Sequence, residues 1–351
     1  VCGILQIALY DHLLLCPKHL SGGLMTMIPL SQYRPERGFW CGTMRCWRGL
    51  LRKRADPAGL VILAFANVGF VPFWYNLKCS LDTAGVHNDL LVGADNETCS
   101  AAARLRGTAC VVGQTLFFDQ ALEAGAYDQG TLAYAQIVRL KTRPVLSALE
   151  QGFHVLFTDT DIVWLSDPRP WLLERAGLGR ATSAALDILV QSDYDPSNDR
   201  RCSTAADCPR SFRCDTQSGV CAPEVCSGFY LLRAGQAALS FVTRVQALLA
   251  SQSNHRSTEQ WAFNVALGDA ELRWQQLPLE SFPNGAAYFT HGLRPAGGED
   301  PFIVHNNWIR GAANKEARFR QHKMWLTQGH TCHAITRGDR VMHRDELRAL
   351  R

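Results

Sequence analysis

The chain has 351 residues, of which 47% are hydrophobic and 19% charged, a balance that excludes a mainly disordered protein. Its net charge is +4, from 36 Lys+Arg against 32 Asp+Glu, too even for a protein that coats nucleic acid. No run of 18 apolar residues is present, and the chain begins with Val, so it reads as a fragment whose membrane anchor or signal would lie upstream.

Residues 1–55 read as a basic N-terminal extension. Arg34, Arg37, Arg45, Arg48, Arg52, Lys53 and Arg54 are interleaved with Trp40 and Trp47, as either a solvated face or a docking face for an acidic polymer. From Gly59 the pattern changes. LVILAFAN (60–67) predicts a buried strand, VPFWYNLKCSLDTAG (71–85) a helix, NDLLVGAD (88–95) a strand, TCSAAARLRG a helix and TACVVG a strand. Short alternating units of this kind predict an α/β domain with a mainly parallel sheet. A long helix follows at 131–152, split or kinked at Pro144.

FHVLFTDTDIVWLSDP (153–168) predicts a buried strand that ends at Asp159 and Asp161. Further strands are expected at 185–193, 227–234, FPNGAAYF and PFIVHNNW. Helices are expected at about 235–252 and at 257–268, the latter capped by Ser257 or Thr258. The tail 331–351 is polar, basic and weakly patterned.

Two carboxylates two residues apart at a strand end repel each other unless a positive group lies between them. A hard divalent cation, Mn²⁺ or Mg²⁺, suits that oxygen pair, and open α/β sheets bind ligands at the carboxyl ends of strands. His305, at the end of a late strand, is the candidate third metal ligand. Arg310 and Lys315 follow it and suit phosphate oxygens. Glu259, Gln260 and Asn264 share the start of one helix and suit sugar hydroxyls. The motif DTDIV also fits a haloacid-dehalogenase-type phosphatase, with Asp159 as nucleophile, Asp161 as general acid and Ser192 in its second motif. A late acidic pair on a loop, which that class requires, is poorly matched.

There are thirteen cysteines, and their density predicts an oxidising compartment. Cys79, Cys99 and Cys110 read equally as disulfide-bonded or as buried thiols. Cys202, Cys208, Cys214, Cys221 and Cys226 are spaced too widely for a zinc site and predict a small disulfide-stapled insertion at 199–226.

The blocks FHVLFTDTDIVWLSDP, CSGFYLLRA, TEQWAFN, LPLESFPNG and HNNWIRGAANKEARF occur in that order. Together they resemble the nucleotide-diphospho-sugar transferases of glycosyltransferase family 77, which include plant-type cell-wall xylosyl- and arabinosyltransferases. The resemblance covers roughly Gly59 to Trp325. It implies a GT-A type glycosyltransferase fold over 56–330, with a UDP-sugar donor, Mn²⁺ or Mg²⁺ dependence and retention of anomeric configuration. By that pattern Asp159, Asp161 and His305 hold the metal, and Asn67, Lys141, Arg310 and Lys315 approach the nucleotide diphosphate. Gln260 stands by the anomeric carbon and Glu259 binds hydroxyls, where related families carry Asp-Gln rather than Glu-Gln. Asp187, Ser192 and Asp193 line the acceptor side. The implied protein moves a pentose or galactose to a glycan or glycoprotein hydroxyl in the Golgi lumen or elsewhere in the secretory pathway. A non-catalytic glycan-binding protein on the same scaffold is the other alternative.

Overall fold

The computed structural model describes residues 38–117, 136–178 except 138, 185–194, 225–251, 258–269 and 272–332, with short paired pieces elsewhere. Ten strands and eight helices carry the argument. In chain order they are β1 (Phe39–Cys41), α1 (Met44–Arg54), β2 (Leu60–Ala66), α2 (Val71–Thr83), β3 (Asp89–Gly93), α3 (Asn96–Ala102) and β4 (Ala109–Val112). Then come α4 (Thr142–Glu150), β5 (His154–Thr158), β6 (Ile162–Trp164), α5 (Arg169–Arg175), β7 (Ile188–Ser192), β8 (Val225–Leu232), α6 (Gln236–Ser251) and α7 (Glu259–Asp269). The last are β9 (Trp274–Gln276), a further strand β10 (Ile303–His305) outside the main sheet, and α8 (Ala312–Gln321).

The main sheet has eight strands in the order β9-β7-β8-β5-β2-β3-β4-β1. Every neighbouring pair is parallel except the two that β8 makes, with β7 and with β5. This is the mainly parallel, helix-flanked sheet that the sequence predicts. Both faces are covered, which is why β2 reads as an uninterrupted apolar run. Along β2, Leu60, Ile62, Ala64 and Ala66 pack into one core with Trp74 of α2, while Val61, Leu63 and Phe65 pack into the other with Trp47 of α1. Along β8, Phe229 and Leu231 take the first side and Tyr230 and Leu232 the second.

The chain leaves β2 toward β3 on one side, while β5 pairs with β2 on the other. The carboxyl ends of β2 and β5 therefore flank a topological switch point, the place where open α/β sheets form a ligand crevice. Just past β5 the backbone turns a corner through Asp159–Asp161 into β6, which pairs with β10 outside the main sheet. Because β8 runs against β5, it begins beside that corner, and the Asp159 N–H donates to the Gly228 carbonyl at 2.7 Å.

Several expectations are corrected. The segment read as a basic extension contributes β1, which pairs with β4, and α1, whose Trp47 is fully buried and donates to Ser147 Oγ at 3.1 Å. Trp47 is thus core, not part of a docking face. FPNGAAYF is not a strand; Ala286–Thr290 forms a π-helical turn. Asn284 imposes it, accepting from the Ala287 N–H at 2.9 Å and donating to the Tyr194 carbonyl at 2.7 Å. Pro144 does not kink a continuous helix. It sits in the free first turn of α4, where its missing N–H costs nothing, and the turn at Lys141 makes the split.

Three disulfides join Cys41–Cys46, Cys79–Cys332 and Cys99–Cys110, and Cys226 is a buried free thiol. Cys79, Cys99 and Cys110 are therefore bonded, and the tail is anchored to α2 at its first residues. Most of the cysteine-rich insertion, including Cys202 and Cys208, lies outside the described residues. A hairpin, Phe212–Asp215 with Val220–Pro223, is described in backbone only.

Candidate active site

One cavity of about 550 Å³ opens at the switch point. Asn67, Lys141, Asp159, Asp161, Glu259, Gln260, His305, Arg310 and Lys315 all line it. Nine of the ten residues predicted for metal, donor and sugar thus meet in one place, although they come from five separate stretches of chain.

Asp159, Asp161 and His305 each offer a ligand atom within 4.8 Å of the other two. Register explains the third member: His305 pairs with Ile162, the residue after Asp161. His305 Nε2 stands 3.4 Å from Asp161 Oδ1. The space between the donor atoms exists because residue 228 has no side chain. A Cβ there would lie 2.8 Å from Asp159 Oδ2, 3.2 Å from His305 Nε2 and 2.4 Å from His305 Cε1. Two carboxylates and a neutral imidazole around such a cradle fit Mn²⁺ or Mg²⁺.

Cations already flank the acids. Lys141 donates to Asp159 Oδ1 at 2.6 Å, and Lys315 donates to Asp161 Oδ2 at 2.5 Å. Burial alone would raise the Asp161 carboxyl, but the Lys315 ammonium, joined by His305 when its ring carries both protons, holds it well below the usual carboxylate range. Lys315 reaches this point from the first turn of α8. That helix begins after Gly311, whose φ of 81° a side chain would strain. Arg310 lies exposed at the rim.

Gln191 is a functional residue that the sequence reading missed. Its Nε2 donates to the Phe282 and Pro283 carbonyls at 3.0 and 3.1 Å, so its Oε1 is the atom 2.8 Å from His305 Nδ1. An oxygen there accepts, which places the proton on Nδ1 and leaves the Nε2 lone pair facing the carboxylates. The signal was a buried Gln inside an apolar strand, with no apolar role to play. Gln191→Leu removes this constraint at nearly constant volume. Mn²⁺ affinity measured by electron paramagnetic resonance is expected to fall about tenfold or more, with the fold retained. Unchanged affinity would refute the assignment.

Glu259 is buried, 3.8 Å from Lys141, and its Oε1 has no hydrogen-bond partner. Burial pushes its pKa up to about 8, against the pull of Lys141 and with help from the Asp159 charge. The folded state therefore holds this proton more tightly than the unfolded chain does. In metal-free protein this contribution to stability is full below about pH 4.5 and is lost as pH rises toward about 8. Glu259→Gln is expected to flatten that part of the urea-midpoint profile; an unaltered slope would contradict it.

Gln260 Nε2 donates to Asp193 Oδ2 at 2.9 Å, and Thr258, not Ser257, caps α7 by accepting from the Trp261 N–H at 3.3 Å. Asn264 does not face the cavity. It brackets Val225, accepting from its N–H at 2.9 Å and donating to its carbonyl at 3.1 Å. Asp187 is also removed from the site. It precedes β7, at the end away from the cavity, and is ion-paired to Arg233 and Arg273. Ser192 does not line the cavity and accepts from the Tyr194 N–H at 3.3 Å. Asp193 does line it.

The model of the nucleotide-diphospho-sugar transferase family matches residues 84–319, more than half of the chain. The chain belongs to the nucleotide-diphospho-sugar transferase family. This membership sets the phosphatase reading aside. Among curated relatives, the transferase is 27% identical over 280 residues to an Arabidopsis thaliana UDP-D-xylose:L-fucose alpha-1,3-D-xylosyltransferase, covering 77% of this chain and 67% of that one. It is 26% identical to the Arabidopsis thaliana beta-arabinofuranosyltransferase RAY1, covering 79% of this chain and 49% of that one. It is 25% identical to a Dictyostelium discoideum UDP-galactose:fucoside alpha-3-galactosyltransferase, covering 57% of this chain but 29% of the relative's length. Among solved structures it is similar to the galactosyltransferase LgtC, at 10% identity and a TM-score of 0.45, covering 75% of this transferase and 94% of LgtC.

Proposed function

We propose that this chain is a metal-dependent, retaining glycosyltransferase that moves a pentose or galactose from a UDP-sugar to a hydroxyl on a glycan or glycoprotein. An L-fucosyl residue is the acceptor we favour. The observation that carries the reading is the cradle over Gly228. There Asp159, Asp161 and His305 converge in the same cavity as Glu259 and Gln260. The fucose acceptor rests on relatives whose names carry it.

Asp159, Asp161 and His305 would hold Mn²⁺ or Mg²⁺, which supplies Lewis-acid neutralisation of charge on a leaving diphosphate. Lys315 helps keep Asp161 ionised, and Lys315 and Lys141 add positive charge beside the diphosphate, with Arg310 at the rim. Gln260 presents its free amide oxygen near the anomeric carbon, and protonated Glu259 can donate to a donor hydroxyl. The cavity acids are engaged: Asp159 and Asp161 by lysines, Asp193 by three donors, and Glu259 by its own proton. Front-face displacement without a covalent sugar–enzyme adduct fits that inventory among the described residues.

Three disulfides favour an oxidising compartment and hence the secretory pathway. No described helix is long and apolar enough to cross a membrane. Screening UDP-xylose, UDP-arabinofuranose and UDP-galactose for Mn²⁺-dependent hydrolysis tests the donor. One sugar should be hydrolysed, and EDTA should stop the reaction. If none turns over and UDP shows no metal-dependent affinity, the non-catalytic alternative takes its place.

A further inference from the structure

Two large hydrophobic side chains stand exposed among the described residues, Met44 at 38% and Trp308 at 47%. A single exposed apolar side chain is ordinary by itself. Trp308 differs in three ways. It lines the cavity, three residues after His305. Its backbone φ is 58°, in the left-handed region that a bulky residue rarely adopts and that tends to persist where function requires it. Its indole is also held: Nε1–H donates to Asp193 Oδ1 at 3.0 Å.

Asp193 is the hub of that arrangement. Its Oδ1 also accepts from Asn307 Nδ2 at 3.1 Å, and its Oδ2 accepts from Gln260 Nε2 at 2.9 Å. With three donors on two oxygens, Asp193 is poorly placed to take a substrate hydroxyl itself. It connects the amide expected beside the anomeric carbon to an aromatic plate at the cavity mouth. No described aromatic ring stacks on that plate, and nearly half of the residue's surface is exposed.

We propose that Trp308 is the platform on which the acceptor sugar packs, with Asp193 as the positioning residue that sets the platform relative to Gln260; this deepens, and rests on, the glycosyltransferase reading. A pyranose has a face of C–H bonds and a rim of hydroxyls. An indole face, electron-rich and apolar, suits the first, while the polar rim stays free for Gln260 Oε1 and solvent. A 6-deoxyhexose such as fucose adds a methyl group to its apolar surface, which favours such a platform over a purely hydrogen-bonded one.

The test compares Trp308→Ala and Trp308→Phe with the parent chain, using methyl α-L-fucoside as acceptor probe and UDP with Mn²⁺ as donor probe. Saturation-transfer NMR with the fucoside needs no turnover. Its signal should be lost in Trp308→Ala and largely kept in Trp308→Phe, which retains a ring. In transfer assays the acceptor KM of Trp308→Ala should rise about tenfold, the scale of one aromatic contact. That rise should exceed any change in UDP affinity at least fivefold. A fucoside signal unchanged in Trp308→Ala, in protein that binds UDP–Mn²⁺, overturns the platform and leaves the donor reading standing. A parent chain without metal-dependent UDP affinity overturns the donor reading and the platform with it.

Discussion

Asp161→Asn is expected to lower UDP-sugar turnover by about a hundredfold to a thousandfold, the range seen when one preorganised electrostatic group is removed. The substitution keeps the shape of the side chain and removes its charge. Asp161 is the acid most tightly built into the corner, buried between Lys315 Nζ at 2.5 Å and His305 Nε2 at 3.4 Å. Without its charge the cation site loses an anionic ligand and the Lys315 ammonium loses its counter-ion. Metal binding should therefore fall with turnover, and Mn²⁺ titration followed by electron paramagnetic resonance separates this from a folding defect. Circular dichroism should show an intact fold with a lowered melting temperature. A variant that hydrolyses donor like the parent would remove the basis for the site.

The second large effect is expected from adding a single methyl group. In Gly228→Ala the new Cβ would stand 2.4 Å from His305 Cε1, a separation that van der Waals contact forbids. Relief by moving the backbone would break the bond that the Asp159 N–H donates to the Gly228 carbonyl at 2.7 Å, and β8 is paired on either side of this bulge, through Cys226 to β7 and from Phe229 to β5. His305 must move instead, and it is held by Gln191 at 2.8 Å. Mn²⁺ affinity should fall about 10- to 100-fold, with about 1–3 kcal/mol of lost stability by urea denaturation. Binding at the parent level would show that the donor atoms do not converge over this glycine.

Much of this arrangement is written locally in the chain. Strands covered on both faces must be apolar throughout, so β2, β3 and β5 stand out as runs closed by Gly or by polar residues. The Asp159–Asp161 pair and His305 are visible because acid pairs and an imidazole at strand ends are uncommon there. What escaped was information carried by position in the sheet. Asp187 and Asp193 are similar acids six residues apart, yet β7 separates them. Only the later one follows the strand's carboxyl end, where ligands bind; that rule would have chosen correctly. β1 has three residues and sits inside a basic segment, with Arg34 and Arg37 before it and Arg45 to Arg54 after it, so nothing in its composition marks it as part of the sheet. Gln191 is conspicuous in an apolar strand, but what it does became visible only once His305, 114 residues away, was seen to stand beside it.

The order in which these parts leave the ribosome matters. Asp159 and Asp161 are made early, but β10 and the start of α8 supply His305 and Lys315 only near the end of the described chain. Until they dock, the two aspartates have neither the imidazole nor one of their lysines. A nascent polypeptide thus cannot capture nucleotide-sugar while its last third is still unfolded. Donor capture becomes a readout of the docking of β10 and α8, useful for distinguishing folded enzyme from trapped precursors in an expression lysate.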